Sequence, residues 1–358
     1  MPDQNRIYKR LGLSGYERTV VSALEPAEVA RRGYRYELVE CYDEASVIAA
    51  AADADVVAVS STVPISARVA KRLERLRLVI VCTSGYENVD VATLNERGVR
   101  VARLAGVRRD EVAEHSLAMA MTLLRRLSLL TRRQADGVWL RSQLGALAPG
   151  SVRGAVVGIV GLGVIGTAAA RLFSALGATV LGAEIAPTAA ENVETVTLPE
   201  LLNRSAIVSL HVSLTPSARG LFGEETIARM RPGAILINTS RGEVVDEDAV
   251  LGALEREHLW GAGLDVFNEE PPVWCRVPNG ESSPRADPRD RDRTDAPDTA
   301  RAARWRALAD AGRVVLTPHG AGFSPAMPRA LVRDAMAVLD AFVAGLPLPH
   351  ELGCTPRQ

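Results

Sequence analysis

Short apolar runs alternate with segments of helical periodicity along most of the chain. The apolar runs predict buried β-strands at residues 56–59, 78–81, 156–160, 178–183, 207–211, 234–239, 261–266 and 314–317. The segments between them repeat apolar positions every three to four residues, which predicts helices at 67–76, 110–126, 167–176, 223–230 and 246–257. This alternation is typical of α/β proteins with parallel sheets. The first thirty residues show no clear period.

The predicted strand 156–160 runs directly into the glycine-rich pattern G-x-G-x-x-G and then into a helix. Gly161 permits a tight turn, Gly163 lets the backbone approach a pyrophosphate, and Gly166 allows the helix to pack closely on the strand. The start of the helix would offer unpaired N–H groups to the anion. The residues expected to contact a dinucleotide here are Gly161, Gly163, Val164, Ile165 and Gly166.

An acidic residue follows the next strand and bears on the choice of cofactor. Glu184 stands eighteen positions after Gly166, where a carboxylate can accept hydrogen bonds from a ribose diol. The same carboxylate would repel a 2′-phosphate, and residues 185–187 supply no cation to hold one. We therefore expect NAD(H) rather than NADP(H).

Length and composition narrow the class of protein. The chain has 358 residues, enough for two domains with their own cores, and its net charge of -1 offers no general attraction to nucleic acids or membranes. Cys41, Cys82, Cys275 and Cys354 follow neither a metal-ligand spacing nor a disulfide pattern. No apolar run is long enough to span a bilayer. We expect a soluble cytoplasmic protein without a metal site.

Residues 275–303 break the α/β pattern. They contain six arginines, six acidic residues and almost no large apolar side chain. Such a segment cannot bury enough surface to offset its ordering entropy, so we expect disorder. A cover for an active site or a contact for a partner is the alternative.

Three polar clusters stand at the ends of predicted strands, where open α/β sheets bind ligands. They occupy residues 238–242, 263–271 and 316–319. With G-Y-E-N-V-D at 85–90, V-A-E-H at 112–115 and the glycine pattern, the chain resembles the D-isomer-specific 2-hydroxyacid dehydrogenases from about Ala54 onward. The resemblance implies two doubly wound parallel-sheet α/β domains. A Rossmann NAD-binding domain, 107–323, would be inserted in a smaller flavodoxin-like substrate domain, 1–106 and 324–358.

The resemblance also implies a catalytic set of Arg241, Glu270 and His319. Reduction of a 2-keto acid requires a hydride at carbon, which the cofactor supplies, and a proton at oxygen. Arg241 would hold the substrate carboxylate and polarise the ketone. His319 would donate the proton, and Glu270 beside it would favour the imidazolium.

Further contacts follow from the same motifs. Ser84 and Gly85 match a loop whose backbone amides meet the substrate carboxylate, although an ordinary turn would have the same pattern. The other positions expected at the cofactor are His211, Thr239, Ser240, Arg241, Asp265, which would face the nicotinamide, His319 and Gly322. We expect His115 to be structural, and His258 and His350 to lie at the surface.

Some residues depart from the family pattern. Ser60 stands where phosphoglycerate-type members often carry an arginine, which argues against phosphoglycerate as substrate. Arg103, Arg108 and Arg109 replace small polar residues. If these arginines face the substrate they could hold a second anionic group, while solvent-facing arginines are the plainer alternative.

The leading hypothesis is NAD(H)-dependent reduction of a 2-keto acid to a D-2-hydroxy acid, or the reverse. Phosphite or phosphonate chemistry of the same superfamily stays open, whereas Glu270 argues against formate oxidation, in which glutamine pairs with the histidine. A catalytic lysine is lacking for amino-acid dehydrogenation, since Lys9 and Lys71 are the only lysines. An NAD(H)-sensing, corepressor-like binding protein would keep similar residues. The resemblance and the apolar face of helix 110–126 predict a homodimer.

Overall fold

The computed structural model describes residues 6–13, 15–147, 150–184, 193–270 and 299–353. The chain forms two compact units, Met1–Arg108 with Phe323–Gln358, and Arg109–Gly322. We call them unit 1 and unit 2. Each has its own parallel sheet, so the predicted class of two parallel-sheet α/β domains is confirmed.

Unit 1 is built on a five-stranded parallel sheet. Its strands are β1 (Ile7–Leu11), β2 (Arg35–Val39), β3 (Val56–Val59), β4 (Leu78–Val81) and β5 (Arg100–Arg103). Its helices are α1 (Gly15–Arg31), α2 (Glu44–Ala51), α3 (Ala67–Arg72), α4 (Val91–Glu96) and α13 (Met327–Val343). The strand order β2-β1-β3-β4-β5 is the flavodoxin-like order. Strands β3 and β4 are buried along their whole length because helices cover both faces of the sheet.

The first strand lacks an apolar pattern because it buries two charged side chains. Lys9 forms ion pairs with Glu37 and Asp53. Arg10 pairs with Glu25 of α1, and the side chains of both residues are 0% exposed. The hydroxyl of Tyr8 donates to Glu25 Oε1 at 2.9 Å, and Arg10 Nε donates to Oε2 at 2.9 Å. A core accepts charge when each charged group has such partners.

Unit 2 is built on a seven-stranded parallel sheet of order β12-β11-β10-β9-β6-β7-β8. Its strands are β6 (Val156–Val160), β7 (Thr179–Ala183), β8 (Glu194–Thr195), β9 (Ile207–Leu210), β10 (Ala234–Asn238), β11 (Leu259–Leu264) and β12 (Val314–Leu316). Its α-helices are α5 (Arg109–Leu124), α6 (Leu127–Ala135), α7 (Leu144–Leu147), α8 (Val164–Ala175), α9 (Leu198–Arg204), α10 (Glu224–Ala228), α11 (Glu247–Glu255) and α12 (Thr299–Asp310). Short 3-10 helices span Arg141–Gln143 and Gly242–Val244. The order of the sheet reverses between β6 and β9, as in Rossmann domains.

The helix predicted at 110–126 is α5 in the structure, which ends two residues earlier than predicted, and a separate helix, α6, follows it. Arg126 adopts a left-handed conformation with φ 58°, which ends α5 and begins α6. The apolar side chains of α5, among them Met119 and Leu123, are buried against the sheet and helix α8 of the same unit. The apolar face that suggested a twofold partner is therefore largely covered within unit 2.

Several predicted boundaries were wrong by a few residues. Helix α3 ends at Arg72 instead of residue 76, because Leu73 leaves the helical conformation. Helix α8 begins three residues earlier than predicted, since Gly163 in extended conformation is its N-cap. Four strands stop short of the polar residues that were assigned to their ends, so those residues belong to loops at the carboxyl edge of the sheet.

The end of the segment predicted to be disordered is helical. Helix α12 begins at Thr299 and buries Trp305, which is 1% exposed, and Arg301 donates to Glu247 of α11 at 3.1 Å. The expectation of disorder was therefore wrong for 299–303, because the apolar residues that anchor this helix lie just beyond them. The expectation for 275–298 falls outside the described residues.

Two of the four cysteines can be described. Cys41 and Cys82 are buried free thiols, and burial raises the pKa of each thiol to about 11. Both are protonated at neutral pH and are poor nucleophiles. Cys275 and Cys354 lie outside the described residues. Within those residues, we find no helix with the length and apolar character needed to cross a bilayer.

We expect Glu25→Gln to destabilise the protein, because it leaves the Arg10 guanidinium in the core without its counter-charge. Breaking one side of a buried ion pair costs about 3–5 kcal/mol. Urea denaturation measures this loss in the free energy of unfolding. Glu28→Gln on the same helix is the control, since Glu28 forms exposed ion pairs and its loss should be far smaller. Equal losses in the two variants would contradict the prediction.

Candidate active site

The three polar clusters of unit 2 emerge side by side. Strands β10, β11 and β12 are neighbours in the sheet, and their last residues, Asn238, Leu264 and Leu316, are paired in register. All three strands are parallel, so the residues that follow them leave the same edge of the sheet. This edge is where open α/β sheets bind ligands.

An imidazole and a carboxylate form the most direct contact at this edge. His319 Nδ1 and Glu270 Oε2 lie 2.7 Å apart. The second oxygen of Glu270 accepts a hydrogen bond from the Phe267 amide at 3.1 Å, which orients the carboxylate. The His319 side chain is 39% exposed, so a small molecule can reach it. Because Nδ1 faces Glu270, a proton would be exchanged with that molecule through Nε2.

The turn that carries His319 is held by Asp265, which is 1% exposed. Its carboxylate accepts hydrogen bonds from the amides of Gly320 and Ala321, both at 2.9 Å. The His319 amide donates to the Asp265 carbonyl at 2.7 Å. His319 has φ 54°, a left-handed conformation that costs a non-glycine residue about 1–2 kcal/mol. The contacts with Asp265 stabilise this conformation.

Two more side chains complete the Asp265 network. The hydroxyl of Thr317 donates to Asp265 Oδ1. His115 Nε2 lies 3.1 Å from Thr317 Oγ1 and 3.7 Å from Asp265 Oδ1. His115, expected to be structural, thus reaches the Asp265 network from helix α5. Sequence reasoning did not connect His115 or Thr317 with this network, although the V-A-E-H and T-P-H motifs contain both residues.

The Arg241 loop is shaped by Asn238, which is 0% exposed and was not among the predicted site residues. Asn238 Oδ1 accepts from the amide of Ser240 at 3.0 Å, and Nδ2 donates to the Arg241 carbonyl at 2.9 Å. Gly242 packs so tightly that an added Cβ would lie 2.0 Å from the Phe267 carbonyl. This contact brings the Arg241 loop against the loop that leads to Glu270.

Other predicted residues of unit 2 lie around this edge. The hydroxyls of Thr239 and Ser116 are 2.8 Å apart, which joins the Arg241 loop to helix α5. Ser240 donates its hydroxyl to Asn238 and accepts from Arg241 Nη1 through its carbonyl at 2.7 Å. Gly322 is buried three residues after His319.

The glycine turn after β6 has the shape that a pyrophosphate requires. Gly161 has φ 94°, a conformation that favours glycine, and a Cβ on Gly166 would lie 1.8 Å from the Gly161 carbonyl oxygen. A Cβ on Gly163 would meet no atom within 4 Å, so the backbone is open to a ligand at this point. Helix α8 starts immediately after Gly163, so the early amides, including those of Val164 and Ile165, are at the helix N-terminus. The residues fit a dinucleotide.

Glu184 and His211 flank the glycine turn. Glu184 Oε2 accepts a hydrogen bond from the Leu162 amide at 2.6 Å, which ties the acid at the end of β7 to the turn. Burial lowers the pKa of His211 to about 4, so its imidazole is neutral at neutral pH. His211 Nε2 lies 2.9 Å from Ser209 Oγ. Residues 185–187, used in the argument against NADP(H), lie outside the described residues.

Unit 1 contains the loop expected to meet a substrate carboxylate. Thr83 Oγ1 donates to the Gly85 carbonyl at 2.7 Å, and Ser84 Oγ donates to the Ala105 carbonyl at 3.1 Å. Arg103 Nη1 donates to the Ser84 carbonyl at 2.8 Å. The loop therefore has a defined conformation held by side chains of its own unit.

The remaining arginines and histidines that the sequence singled out differ in their partners and in their exposure. Arg108 pairs with Glu17 at 2.9 Å, and Arg109 pairs with its neighbour Asp110 at 2.8 Å. His258, expected at the surface, is half-buried, and its Nε2 lies 3.0 Å from the Ile227 carbonyl oxygen. His350 is exposed as expected.

Within the described ranges, no group of three or more metal-ligating side chains is arranged around a common point.

Comparison with known proteins agrees with this architecture. Residues 117–321 match the family model for the D-isomer specific 2-hydroxyacid dehydrogenase, NAD binding domain. A glyoxylate reductase of Korarchaeum cryptofilum is 39% identical over 224 residues, which cover 61% of this chain and 68% of that protein. The structure is also similar to a pyruvate reductase of Chlamydomonas reinhardtii, with a TM-score of 0.70, 28% identity, and coverage of 97% and 99% of the two chains.

Longer relatives are also similar. D-3-phosphoglycerate dehydrogenases of Mycobacterium bovis and Mycobacterium tuberculosis are 31% identical over 318 residues, which cover 87% of this chain. The chain spans about half the length of these relatives, 54%.

We expect Asp265→Asn to destabilise unit 2, because the amide group would set an N–H donor against the amides of Gly320 or Ala321. An unsatisfied buried group of this kind costs about 1–3 kcal/mol. Urea denaturation measures the loss in the free energy of unfolding. Asp136→Asn is the matched control, since Asp136 is exposed at the end of α6. A loss no larger than that of the control would contradict the role assigned to Asp265.

Proposed function

Because the chain belongs to the D-isomer-specific 2-hydroxyacid dehydrogenase family, we propose that it reduces a 2-keto acid to a D-2-hydroxy acid with NADH, or catalyses the reverse reaction. The observation that carries the proposal is the 2.7 Å contact between His319 Nδ1 and Glu270 Oε2, at the sheet edge where the Arg241 loop also lies. An acid–base group and a guanidinium near a dinucleotide turn are what carbonyl reduction requires.

The three side chains have separate roles in this proposal. Arg241 binds the substrate carboxylate through its planar fork and polarises the adjacent ketone. His319 donates the Nε2 proton to the carbonyl oxygen as that oxygen gains charge, and becomes a neutral imidazole. Glu270, fixed by the Phe267 amide, accepts the Nδ1 hydrogen bond and holds the ring with Nε2 free for the substrate. In the oxidative direction, neutral His319 accepts the hydroxyl proton at Nε2.

NAD(H) supplies or accepts the hydride when it is bound. The chain's own residues hold it: the turn at Gly161, Gly163 and Gly166 receives the pyrophosphate, and Glu184 receives the ribose diol. Thr239, Ser240, Asp265 and Gly322 would contact its nicotinamide end, and His211 lies beside the glycine turn. The neutral imidazole of His211 brings no positive charge to this turn.

The substrate is a small 2-keto acid in this proposal, with glyoxylate as the first candidate because a glyoxylate reductase is 39% identical. The amides of Ser84 and Gly85 are proposed to contact its carboxylate. Arg108 and Arg109 pair with acids of the chain itself, so neither is proposed to hold a second anionic group. The hydroxyl oxygens of Ser60 and Thr62 share a hydrogen bond at 2.9 Å, and Ser60 offers no positive charge to bind a phosphate.

The test is NADH oxidation with glyoxylate, hydroxypyruvate, pyruvate, phenylpyruvate, oxaloacetate and phosphonopyruvate. We expect His319→Gln to lower kcat/KM by about 10²–10⁴-fold, since general acid–base catalysis contributes that much. Glu270→Gln removes the charge beside the ring and should lower kcat/KM by a smaller factor. Binding of NADH, followed by its fluorescence, should persist in both variants.

His350→Gln is the control, because His350 is exposed and lies in unit 1. If NADH binds and none of the keto acids is reduced, the protein is better explained as an NAD(H)-sensing binding protein. Reduction of NAD⁺ with phosphite would favour the phosphite chemistry that the sequence leaves open. Full activity in His319→Gln would exclude His319 as the proton donor.

We also propose that the protein is a homodimer formed through unit 2. The exposed apolar residues around helix α6 support this: Trp139 is 73% exposed, Leu127 48%, Val138 41% and Met121 39%. Large apolar side chains that are exposed near one another in sequence are typical of an interface. Trp139 is the largest of these side chains, and aromatic residues are enriched in such contacts.

Trp139→Asp should therefore shift the protein from a dimer to a monomer of 38.3 kDa, measured by light scattering. A charge placed in a desolvated interface opposes association. Val343→Asp, at an exposed apolar position of unit 1, should leave the dimer intact. A wild-type protein that is monomeric, or a dimer that survives Trp139→Asp, would contradict the proposed interface.

A further inference from the structure

The loop 83–86 follows strand β4 and leaves several backbone amides unpaired. In the part of unit 1 that the structure describes, the N–H groups of Ser84, Gly85 and Tyr86 have no hydrogen-bond acceptor. Gly85 itself is buried. Successive unpaired amides in a turn can form an anion-binding concavity. A carboxylate is an anion that such a concavity can bind.

A hydrogen bond to the carbonyl group of a peptide fixes the direction of the N–H in the same peptide, and this orients the amides of the loop. In a trans peptide the C=O and N–H bonds point in opposite directions. The Ser84 carbonyl is held by Arg103 Nη1 at 2.8 Å, so the Gly85 N–H points away from Arg103. The Gly85 carbonyl is held by Thr83 Oγ1 at 2.7 Å, which orients the Tyr86 N–H in the same manner.

Arg103 is itself held in a defined position. It ends strand β5, and its guanidinium lies 5.5 Å from the centre of the Tyr86 ring. The side chain is half-buried, and among the described residues it has no carboxylate partner. Arg108 and Arg109, by contrast, pair with acidic side chains. Arg103 therefore forms no ion pair within the described residues, and its positive charge beside the loop can attract an anion.

We propose that Arg103 is a positioning residue that sets the affinity of the loop 83–86 for the substrate carboxylate. It acts by holding the Ser84–Gly85 peptide in the orientation that presents the Gly85 amide, and by adding positive charge next to the loop. The inference rests on the proposed reduction of a 2-keto acid. It differs from the hypothesis of a second anionic group, because here Arg103 serves the one carboxylate that every 2-keto acid carries.

This role predicts a specific kinetic signature. The carboxylate does not react, so the loop binds it equally in the ground state and in the transition state. Loss of such uniform binding raises KM and leaves kcat nearly unchanged. A residue that acted on the reacting carbonyl would lower kcat instead.

The experiment compares Arg103→Met, Arg103→Lys and the control Arg68→Met, which removes an exposed arginine of the same unit. KM and kcat are measured for glyoxylate and for oxaloacetate, which carries a second carboxylate. Binding of oxamate, an unreactive 2-keto acid analogue, to the NADH-loaded protein is measured by calorimetry. Thermal unfolding of each variant verifies that the fold is intact.

We expect Arg103→Met to raise KM for both substrates and Kd for oxamate by about 10- to 100-fold, the range for a lost hydrogen bond to a charged group. Arg103→Lys should give KM and Kd values between those of Arg103→Met and the wild-type protein, since an ammonium keeps the charge without the planar fork. Arg68→Met should have the same KM, kcat and oxamate Kd as the wild-type protein. Unchanged KM and Kd in Arg103→Met, or a fall in kcat alone, would overturn the inference. An effect on oxaloacetate but not on glyoxylate would overturn it too, in favour of a distal anion contact.

The calorimetry separates failure of this inference from failure of the proposed function. If wild-type protein reduces none of the keto acids but binds oxamate, and Arg103→Met weakens that binding, the proposed reaction is wrong and the inference stands. If the wild-type protein is active and binds oxamate with the same affinity as Arg103→Met, the proposed reaction stands and the inference is wrong. If wild type neither reacts nor binds oxamate, both are overturned.

Discussion

The candidate site depends on the hydrogen bonds between the Asp265 carboxylate and the turn that follows β12. A carboxylate that is 1% exposed would be costly without partners, and here the amides of Gly320 and Ala321 and the hydroxyl of Thr317 supply them. In return, the carboxylate holds His319 in a left-handed conformation. The imidazole can then meet Glu270, which is fixed separately by the Phe267 amide.

Asn238 stabilises the neighbouring loop by the same physical means. It is the last residue of β10, and its side-chain amide accepts from the Ser240 amide and donates to the Arg241 carbonyl. In both loops a buried polar side chain at the strand end replaces the hydrogen bonds that the strand can no longer supply. The proposed catalytic groups are thus attached to rigid short loops, and this limits the reorganisation needed during a reaction.

The glycine turn and the two loops are brought together by sheet topology. The turn follows β6, beside the point where the strand order reverses, and the Arg241 and His319 loops follow strands on one side of that point. Unit 1 follows the same rule on a smaller sheet, with its carboxylate-binding candidate after β4 and Arg103 at the end of the adjacent strand β5. In each unit, parallel strands place residues distant in sequence along one edge.

The sequence by itself determined the class of fold and the NAD(H) cofactor, and it predicted the glycine turn after β6, because the spacing of apolar residues and of glycines has direct conformational consequences. It did not reveal β1, since Lys9 and Arg10 are buried only through partners distant in the chain. It also left Asn238 without a role and did not show that Asp265 holds the turn that carries His319. Only the tertiary structure decided those points, because a buried polar group is defined by the partners that satisfy it, and these come from separate strands and loops.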